Sequence, residues 1–171
     1  KFNKIKNIKI YNFTEIKKLE ISRNKLKKFD FDHELAILYS SGTTGKPKCI
    51  CHRSGGVLLQ HLKEHQLHCN IKPNDNVFYF TTCGWMMWNW TVSNLLLGSS
   101  IVLYDGSPFY PNINRVINIT KDTNSTMLGA GAKVYETIQN NYKSNKKDIL
   151  KKINCFISTG SPLSPDTFKF I

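Results

Sequence analysis

The sequence predicts an α/β fold in which helices pack on a sheet. Short apolar runs of strand length alternate along the chain with segments whose apolar residues recur at helical spacing, and this alternation is typical of a sheet with helices on both faces. The composition agrees, because 40% hydrophobic and 12% aromatic residues in a 171-residue chain suffice for a packed core. The longest apolar run is shorter than the roughly 18 residues that a membrane span needs, so we expect no membrane partner.

The predicted elements follow one another in chain order. Residues 14–28 fit a short amphipathic helix, and the apolar run 35–39 predicts a strand that returns as a second strand over 49–51. After Ser54, apolar residues on one helical face predict a helix that ends near Cys69. The remaining predicted strands are 77–80, 101–104, 126–128 and 155–158. The remaining predicted helices are 88–97, 113–120, 133–142 and 146–152, with another that begins at Ser164 or Pro165.

The formal charge of +12 comes from 24 Lys and Arg against 12 Asp and Glu. Residues 1–28 hold ten cationic and two anionic side chains, a net of +8, whereas the aromatic residues cluster at 78–90. A nucleic-acid-binding module needs cations and exposed aromatics interleaved on one face. We therefore keep nucleic-acid binding as an alternative and expect no nucleic-acid partner.

The five cysteines are an odd number in a chain too large to need disulfide bridges. This count favours a reducing compartment, and we expect a cytoplasmic protein.

The segment from Ser40 to Lys48, Ser-Ser-Gly-Thr-Thr-Gly-Lys-Pro-Lys, joins two predicted strands and has no helix or strand preference. Its glycines let backbone N–H groups approach a ligand, its hydroxyls add donors, and its lysines add positive charge, a combination that suits a polyphosphate. The Walker A pattern does not fit, because Pro47 follows Lys46 where that pattern requires Ser or Thr. A flexible hairpin turn without a ligand is the alternative.

The same segment, from Tyr39 to Lys48, resembles the phosphate-binding signature of the adenylate-forming (AMP-binding) superfamily, which includes acyl-CoA synthetases, luciferases and adenylation domains of peptide synthetases. The stretches 59–65, 82–90 and 102–108 are similar to the acetoacetyl-CoA synthetase family within it. The resemblance begins at about Phe29. Residues 1–28 are therefore a basic, poorly specified N-terminal segment, and the resemblance implies that 29–171 are part of the large N-terminal domain of an adenylate-forming enzyme, truncated at its C-terminus.

The resemblance also implies an activity. An acid–thiol ligase of this kind activates a short carboxylic acid with ATP and transfers the acyl group to CoA. We expect acetoacetate as the acid, with an acetyl- or propionyl-type synthetase as the alternative, and Mg²⁺ with the ATP of the full enzyme. The residues that the resemblance assigns to the β- and γ-phosphates of ATP are Ser41, Gly42, Thr43, Thr44, Gly45, Lys46 and Lys48.

Two further groups are carried over from the family. Trp85, Met86 and Met87 are the candidates for the acyl pocket, which their bulk would shorten to admit a small acid. Gly160, Ser161 and Pro162 are the candidates for the adenine-binding turn. The alternatives are a core cluster of Trp and Met side chains and an ordinary strand-to-helix turn.

No catalytic residue can be assigned within the chain. The adenylation lysine and the magnesium-binding glutamate of the family are expected beyond Ile171. We therefore expect the 171-residue chain alone to be inactive, and its sequence does not predict an oligomeric state. The expected partners of the intact enzyme are small molecules: ATP, the acid and CoA.

A zinc site is the remaining alternative. His61-Leu-Lys-Glu-His65 fits the H-x-x-E-H pattern of inverted zinc proteases, which places two histidines one helical turn apart with Glu64 as base. Glu136 is a conceivable third ligand. The competing interpretation is an amphipathic helix with histidines at its edge.

Overall fold

The structure is a computed structural model of the chain, and it describes residues 12–18, 27–40, 45–141 and 152–171. Its helices are α1 (Phe13–Lys17), α2 (Ser54–Lys63), α3 (Met86–Ser93), α4 (Arg115–Asp122), α5 (Ala132–Asn141) and α6 (Pro165–Phe170). Its strands are β1 (Glu34–Ser40), β2 (Lys48–Arg53), β3 (Asn76–Tyr79), β4 (Ser100–Val102), β5 (Met127–Gly131) and β6 (Cys155–Thr159). A π-helical turn, Glu64–His68, extends α2, and a 3₁₀ turn, Asn94–Leu97, extends α3. No helix among these residues is long and apolar enough to cross a membrane.

Four parallel strands form the central sheet in the order β4-β3-β5-β6. On β3, the buried side chain of Phe78 packs with Val116 of α4. Its neighbour Val77 packs in a second cluster with Trp90 of α3. Because successive side chains of a strand point to opposite faces, these two clusters lie on the two sides of the sheet. The predicted α/β fold with helices on both faces is confirmed.

A separate antiparallel hairpin consists of β1 and β2, with Ser40 opposite Lys48 at its closed end. The prediction that the glycine- and hydroxyl-rich segment joins two strands is therefore confirmed. At its open end the hairpin is fixed to the start of α2, because the Ser54 amide donates to the His33 carbonyl at 2.8 Å. The Arg53 guanidinium adds a hydrogen bond to the Asp32 carbonyl at 2.9 Å.

The end of the sheet near β6 is held by hydroxyl groups. The Tyr135 hydroxyl donates to the carbonyls of Leu128 and Ile157 at 2.8 and 3.1 Å, which joins α5 to β5 and β6. Beyond β6, the Ser164 Oγ accepts the amide of Thr167 at 3.1 Å and caps α6. The predicted helix start at Ser164 is confirmed, and its chemistry is that of an ordinary N-cap.

The predicted helix over 14–28 is wrong in extent. The described helix is α1, whose start is fixed by a capping box in which Asn12 and Glu15 exchange hydrogen bonds of 2.8 and 3.0 Å. Residues 19–26 of the prediction lie outside the described residues. Residues 27 and 28 are not helical. They lead into the segment before the hairpin, where the ring of Phe29 stacks on His33 at 4.4 Å.

Other boundaries differ from the predictions as well: α4 spans Arg115–Asp122 rather than 113–120, and β5 continues to Gly131 rather than 128. Helix α3 begins two residues before the predicted start at residue 88. Strand β4 ends at Val102 rather than at 104, because the chain turns where the Tyr104 hydroxyl donates to the Ser107 carbonyl at 2.9 Å. Of the predicted helix over 146–152, residues 146–151 lie outside the described residues. Lys152 itself is in a turn and donates to Asn124 Oδ1 at 2.6 Å.

Candidate functional site

The cationic side of the predicted phosphate site lies at the closed end of the hairpin. Residues 41–44 lie outside the described residues, so Ser41, Gly42, Thr43 and Thr44 have no described geometry. Gly45 and Lys46 are exposed and precede β2, which begins at Lys48. The Lys48 amide donates to Ser40 Oγ at 3.3 Å, so the strand register does not depend on the Lys48 side chain. Both side chains are exposed, so an anionic ligand at this edge can reach their ammonium groups.

A cavity of about 780 Å³ lies between the hairpin, α2, α3 and β6. Met86 and Met87, at the start of α3, line its wall together with Thr159 at the end of β6. The structure thus brings two of the three predicted acyl-pocket residues to one cavity. Trp85 precedes the helix, is 69% exposed, and is not among the lining residues.

The predicted adenine-binding turn follows β6 at the carboxyl end of the parallel sheet, which is where open α/β sheets bind their ligands. Gly160 has φ +89°, a left-handed conformation that favours glycine at this position. Ser161 is exposed, and Pro162 leads towards the α6 cap. The positive φ explains the glycine by backbone geometry alone, and the turn's contact with adenine stays a prediction.

Two hydroxyl groups meet where β6 borders the cavity. The Tyr79 hydroxyl and Thr159 Oγ1 are 2.6 Å apart and share a hydrogen bond. Burial raises the pKa of Tyr79, and the Thr159 contact opposes this only in part, so the phenol stays protonated at neutral pH. When Tyr79 is the donor of this bond, the Thr159 hydroxyl keeps its own proton and can donate it to a ligand in the cavity that Thr159 lines.

Comparison with known proteins identifies the family. The family model described as AMP-binding enzyme matches residues 4–171. The chain belongs to the AMP-binding enzyme family. It is 46% identical over 146 residues to the acetoacetyl-coenzyme A synthetase of Rhizobium meliloti (strain 1021), and 45% identical over 148 residues to the acetoacetyl-CoA synthetase of Danio rerio. These matches cover 85% and 86% of this chain but 22% of each relative, so the chain spans about a fifth of their length.

Two solved structures have the same fold. The acetoacetyl-CoA synthetase from Streptomyces lividans matches with a TM-score of 0.76 and 45% identity, over 84% of this chain and 22% of that one. A luciferase-like enzyme from the nonluminescent Zophobas morio mealworm matches with a TM-score of 0.64 and 22% identity, over 84% and 32%. The second likeness shows the fold alone. Together they confirm the prediction that the chain is part of the N-terminal domain of an adenylate-forming enzyme.

The histidines of the alternative zinc motif have other partners in this AMP-binding chain. The buried His61 contacts Ser93 Oγ through Nδ1 at 2.7 Å. Glu64 accepts from Trp90 Nε1 at 2.8 Å, and His65, fully buried, meets the Trp90 ring edge-on at 4.2 Å. Within the described ranges, no group of three or more His, Cys, Asp or Glu side chains is placed to hold a metal ion.

Glu136, the conceivable third zinc ligand, pairs instead with Lys133 at 3.0 Å on α5. Burial, with a smaller contribution from the neighbouring His61, lowers the pKa of His65 to about 4. Burial also lowers the pKa of His61, with Glu64 acting in the opposite direction. Both imidazoles are therefore neutral at pH 7 and join α2 to α3 by packing and hydrogen bonding.

Sequence reasoning missed the contribution of Thr159 and of the α2 side chains to the cavity wall. One feature of the sequence could have indicated that Thr159 lies at the site: it immediately precedes the glycine of the predicted adenine turn. His61 and Glu64 were singled out for a metal, and their place beside the cavity follows only from the crossing of α2 and α3.

Proposed function

We propose that the protein to which this chain belongs is an acid–thiol ligase that activates acetoacetate with ATP and transfers the acyl group to CoA. The likeness in sequence and fold to acetoacetyl-CoA synthetases carries this proposal. The cavity beside Met86 and Met87, close to the end of β6, supports it. Acetate and propionate are the competing acids.

The reaction has two steps. A carboxylate oxygen of the acid attacks the α-phosphorus of ATP, pyrophosphate leaves, and an acyl-adenylate forms. The CoA sulfur then attacks the acyl carbonyl, AMP leaves, and the thiol proton is released. In the first step, Lys46 and Lys48 neutralise the β- and γ-phosphates, while the backbone and hydroxyls of 41–45 hold them in line. Such positioning and charge neutralisation are the main means of catalysis in reactions at phosphorus.

Side chains in the cavity wall can distinguish acetoacetate from other short acids. Acetoacetate differs from butyrate by a 3-oxo oxygen, which accepts a hydrogen bond. We propose that Tyr79 donates to Thr159, which leaves the Thr159 hydroxyl proton for the 3-oxo oxygen, because Thr159 lines the cavity beside the predicted adenine turn. Met86 and Met87 form an apolar wall that suits a short carbon chain. The sequence Thr159-Gly160 thus joins acid recognition to nucleotide binding.

Mg²⁺ is not assigned to residues of this chain. Among the described residues, no group of three or more His, Cys, Asp or Glu side chains is placed to hold a metal ion, and we derive no step through Mg²⁺. All five cysteines, each in the described part, are free thiols, which supports a reducing compartment such as the cytoplasm.

The test is ATP–pyrophosphate exchange by the full-length protein with acetoacetate, acetate, propionate, butyrate and a long-chain fatty acid. We expect the highest kcat/KM with acetoacetate. A preference for the long-chain acid, or exchange with none of the acids, would overturn the proposal.

The Thr159→Val variant tests the acid-binding part, with Thr159→Ser as the matched control that keeps the hydroxyl. Loss of one neutral hydrogen bond corresponds to about 0.5–1.5 kcal/mol, so Thr159→Val should lower the acetoacetate-to-butyrate ratio about 2- to 10-fold. An unchanged ratio would remove Thr159 from acid recognition and leave the ligase assignment standing.

A further inference from the structure

A single carboxylate lies in the wall of the cavity. Among the described residues that line it, Glu64 is the only Asp or Glu, and no Lys or Arg accompanies it. The other titratable side chains in the wall are His52, His61, His68, Cys69 and Cys155. Lys63, the neighbour of Glu64 in the sequence, donates instead to Gln60 Oε1 at 2.9 Å. Neither ion pair in the described part of the chain includes Glu64, so its carboxylate has no ion-pair partner there.

Hydrogen bonds from two helices fix the position of the Glu64 carboxylate in this wall. Its Oε1 accepts from Gln60 Nε2 at 2.6 Å, one turn earlier on α2, and its Oε2 accepts from Trp90 Nε1 on α3 at 2.8 Å. Both donors are neutral groups. A carboxyl group that accepts a hydrogen bond on each oxygen has the bonding of an ionised carboxylate. The contacts thus hold a negative charge at the point where α2 and α3 meet.

The depth of Glu64 in the cavity follows from the direction of α3. This helix connects the parallel neighbours β3 and β4, so it runs back from the carboxyl end of the sheet towards the amino end. Met86 and Met87, at its start, lie nearest the carboxyl end, where Thr159 ends β6. Trp90 lies one helical turn, about 5.4 Å, further along α3. Glu64, which is hydrogen-bonded to Trp90, is therefore further from the carboxyl end than the two methionines.

The same geometry orients an acid in the cavity. Its reacting carboxylate has to approach ATP, and the predicted adenine turn lies at the carboxyl end of the sheet. The remainder of a short acid then extends past Met87 towards Glu64. The far end of acetoacetate is an uncharged methyl group. A dicarboxylate would instead bring a second negative charge towards Glu64 in a cavity that is only partly exposed to water, where like charges repel more strongly than in bulk solvent.

We propose that Glu64 is a specificity-determining residue that excludes acids with a second carboxylate from the cavity. Its charge raises the free energy of a bound dicarboxylate and leaves that of an acid with an uncharged far end nearly unchanged. A repulsive group of this kind adds to the discrimination that the attractive contacts of a site provide. The inference rests on the proposed acid ligase activity, and it names the class of acid that the site rejects.

Competition between acids in the full-length protein tests the inference. The probes are succinate and succinamate, which have the same carbon chain and differ in the charge at the far end. Each competes with the acid that the protein uses best, and its inhibition constant is measured from the loss of that acid's CoA thioester, whether or not the probe itself reacts. A carboxylate within about 8 Å of Glu64 is repelled enough that Glu64→Gln should lower the succinate-to-succinamate ratio of inhibition constants about 5- to 30-fold. The glutamine side chain keeps an acceptor for Trp90 Nε1, so the contact between α2 and α3 is retained.

Two further variants separate charge from packing. Glu64→Asp keeps the charge and should hold the ratio within about threefold of the wild type. Glu136→Gln makes the same chemical change on α5, on the opposite face of the sheet from α3, and should leave the ratio within about twofold. An unchanged ratio in Glu64→Gln, an equal fall in Glu136→Gln, or no competition by succinamate would overturn the role of Glu64 and leave the ligase assignment standing. Thioester formation with none of the acids would overturn the ligase assignment itself, and this inference with it.

Discussion

Removal of the Lys48 ammonium tests the hairpin as a site for the triphosphate tail. Lys48 is exposed at the start of β2, and its backbone amide alone makes the 3.3 Å contact with Ser40 Oγ. Lys48→Ala should therefore leave the hairpin register intact while it removes one positive charge. Because the cavity that carries Met86 and Met87 is lined by other residues, the choice of acid should not change.

The expected size of the effect follows from Coulomb's law. An ammonium about 4 Å from a phosphate oxygen contributes about 1 kcal/mol in water and about 4 kcal/mol near a protein surface of effective dielectric constant about 20. Because Lys48 is exposed, its electrostatic contribution to ATP binding should lie in the lower part of this range, at about 1–2 kcal/mol. That corresponds to an increase in the KM for ATP of about 5- to 30-fold. The increase should shrink as salt is added, because mobile ions screen an exposed charge.

The assay is ATP–pyrophosphate exchange by the full-length protein, with ATP and acid varied separately. The matched control is Lys121→Ala, which removes an exposed charge from α4, on the face of the sheet opposite to α2 and α3. The acetoacetate-to-butyrate ratio should stay within about twofold in both variants. If Lys48→Ala raised the KM for ATP no more than Lys121→Ala does, or altered the acid ratio equally, the hairpin would be structural and the reasoning refuted.

Three further predictions concern the sheet and α2. Tyr135→Phe leaves two strand carbonyls without their hydroxyl donor and should lower the local opening free energy of β5 and β6 by about 1–3 kcal/mol, measured as faster amide hydrogen exchange. Gly129→Ala places a Cβ in steric overlap with the Tyr79 ring and should displace the ring and reduce stability. Gly131→Ala on the same strand, where the nearest neighbour of the new Cβ is 3.7 Å away, should be tolerated; equal thermal midpoints for the two variants would contradict this. The pKa of His65 is about 4 in the folded protein and about 6.5 in the unfolded chain. The contribution of His65 to the free energy of unfolding should therefore be fully present above pH 6.5 and fall by up to about 3 kcal/mol as the pH drops to 4. His65→Leu should flatten this part of the plot of unfolding free energy against pH.

The sheet could be predicted from the sequence because its signals are local. β3 and β5 are short apolar runs bounded by turn residues, and such runs predict buried parallel strands whatever packs on them. The start of α3 carried no such signal. Trp85 occupies its N-cap position without a side-chain hydrogen bond, so the sequence lacks the Ser, Thr, Asp or Asn that usually indicates a helix start.

The candidate site was predictable only in part, because its wall is assembled from separate segments. Met86 and Met87 were found through the family resemblance. Glu64 accepts a hydrogen bond from Trp90, 26 residues away, at the point where α2 changes to a π-helical turn. Such a contact depends on how two helices cross, which no local pattern contains. The Tyr79–Thr159 hydrogen bond joins residues that are 80 positions apart in the sequence, and no local pattern predicts it for the same reason.

The two parts of the candidate site differ in what stabilises them, and this decides where the function can be tested. Thr159 and the start of α3 are attached to the central sheet, whose residues Phe78 and Leu128 are almost fully buried. The hairpin that carries Lys46 and Lys48 pairs with no other described strand, and its side chains Ile37 and Tyr39 are 57% and 72% exposed. An isolated two-stranded hairpin is marginally stable in water. We therefore expect phosphate binding at this hairpin to depend on parts of the full-length protein that this chain, about a fifth of the length of its relatives, does not include. For that reason a failure of the 171-residue chain to bind ATP would not count against the hairpin, whereas the same failure in the full-length protein would.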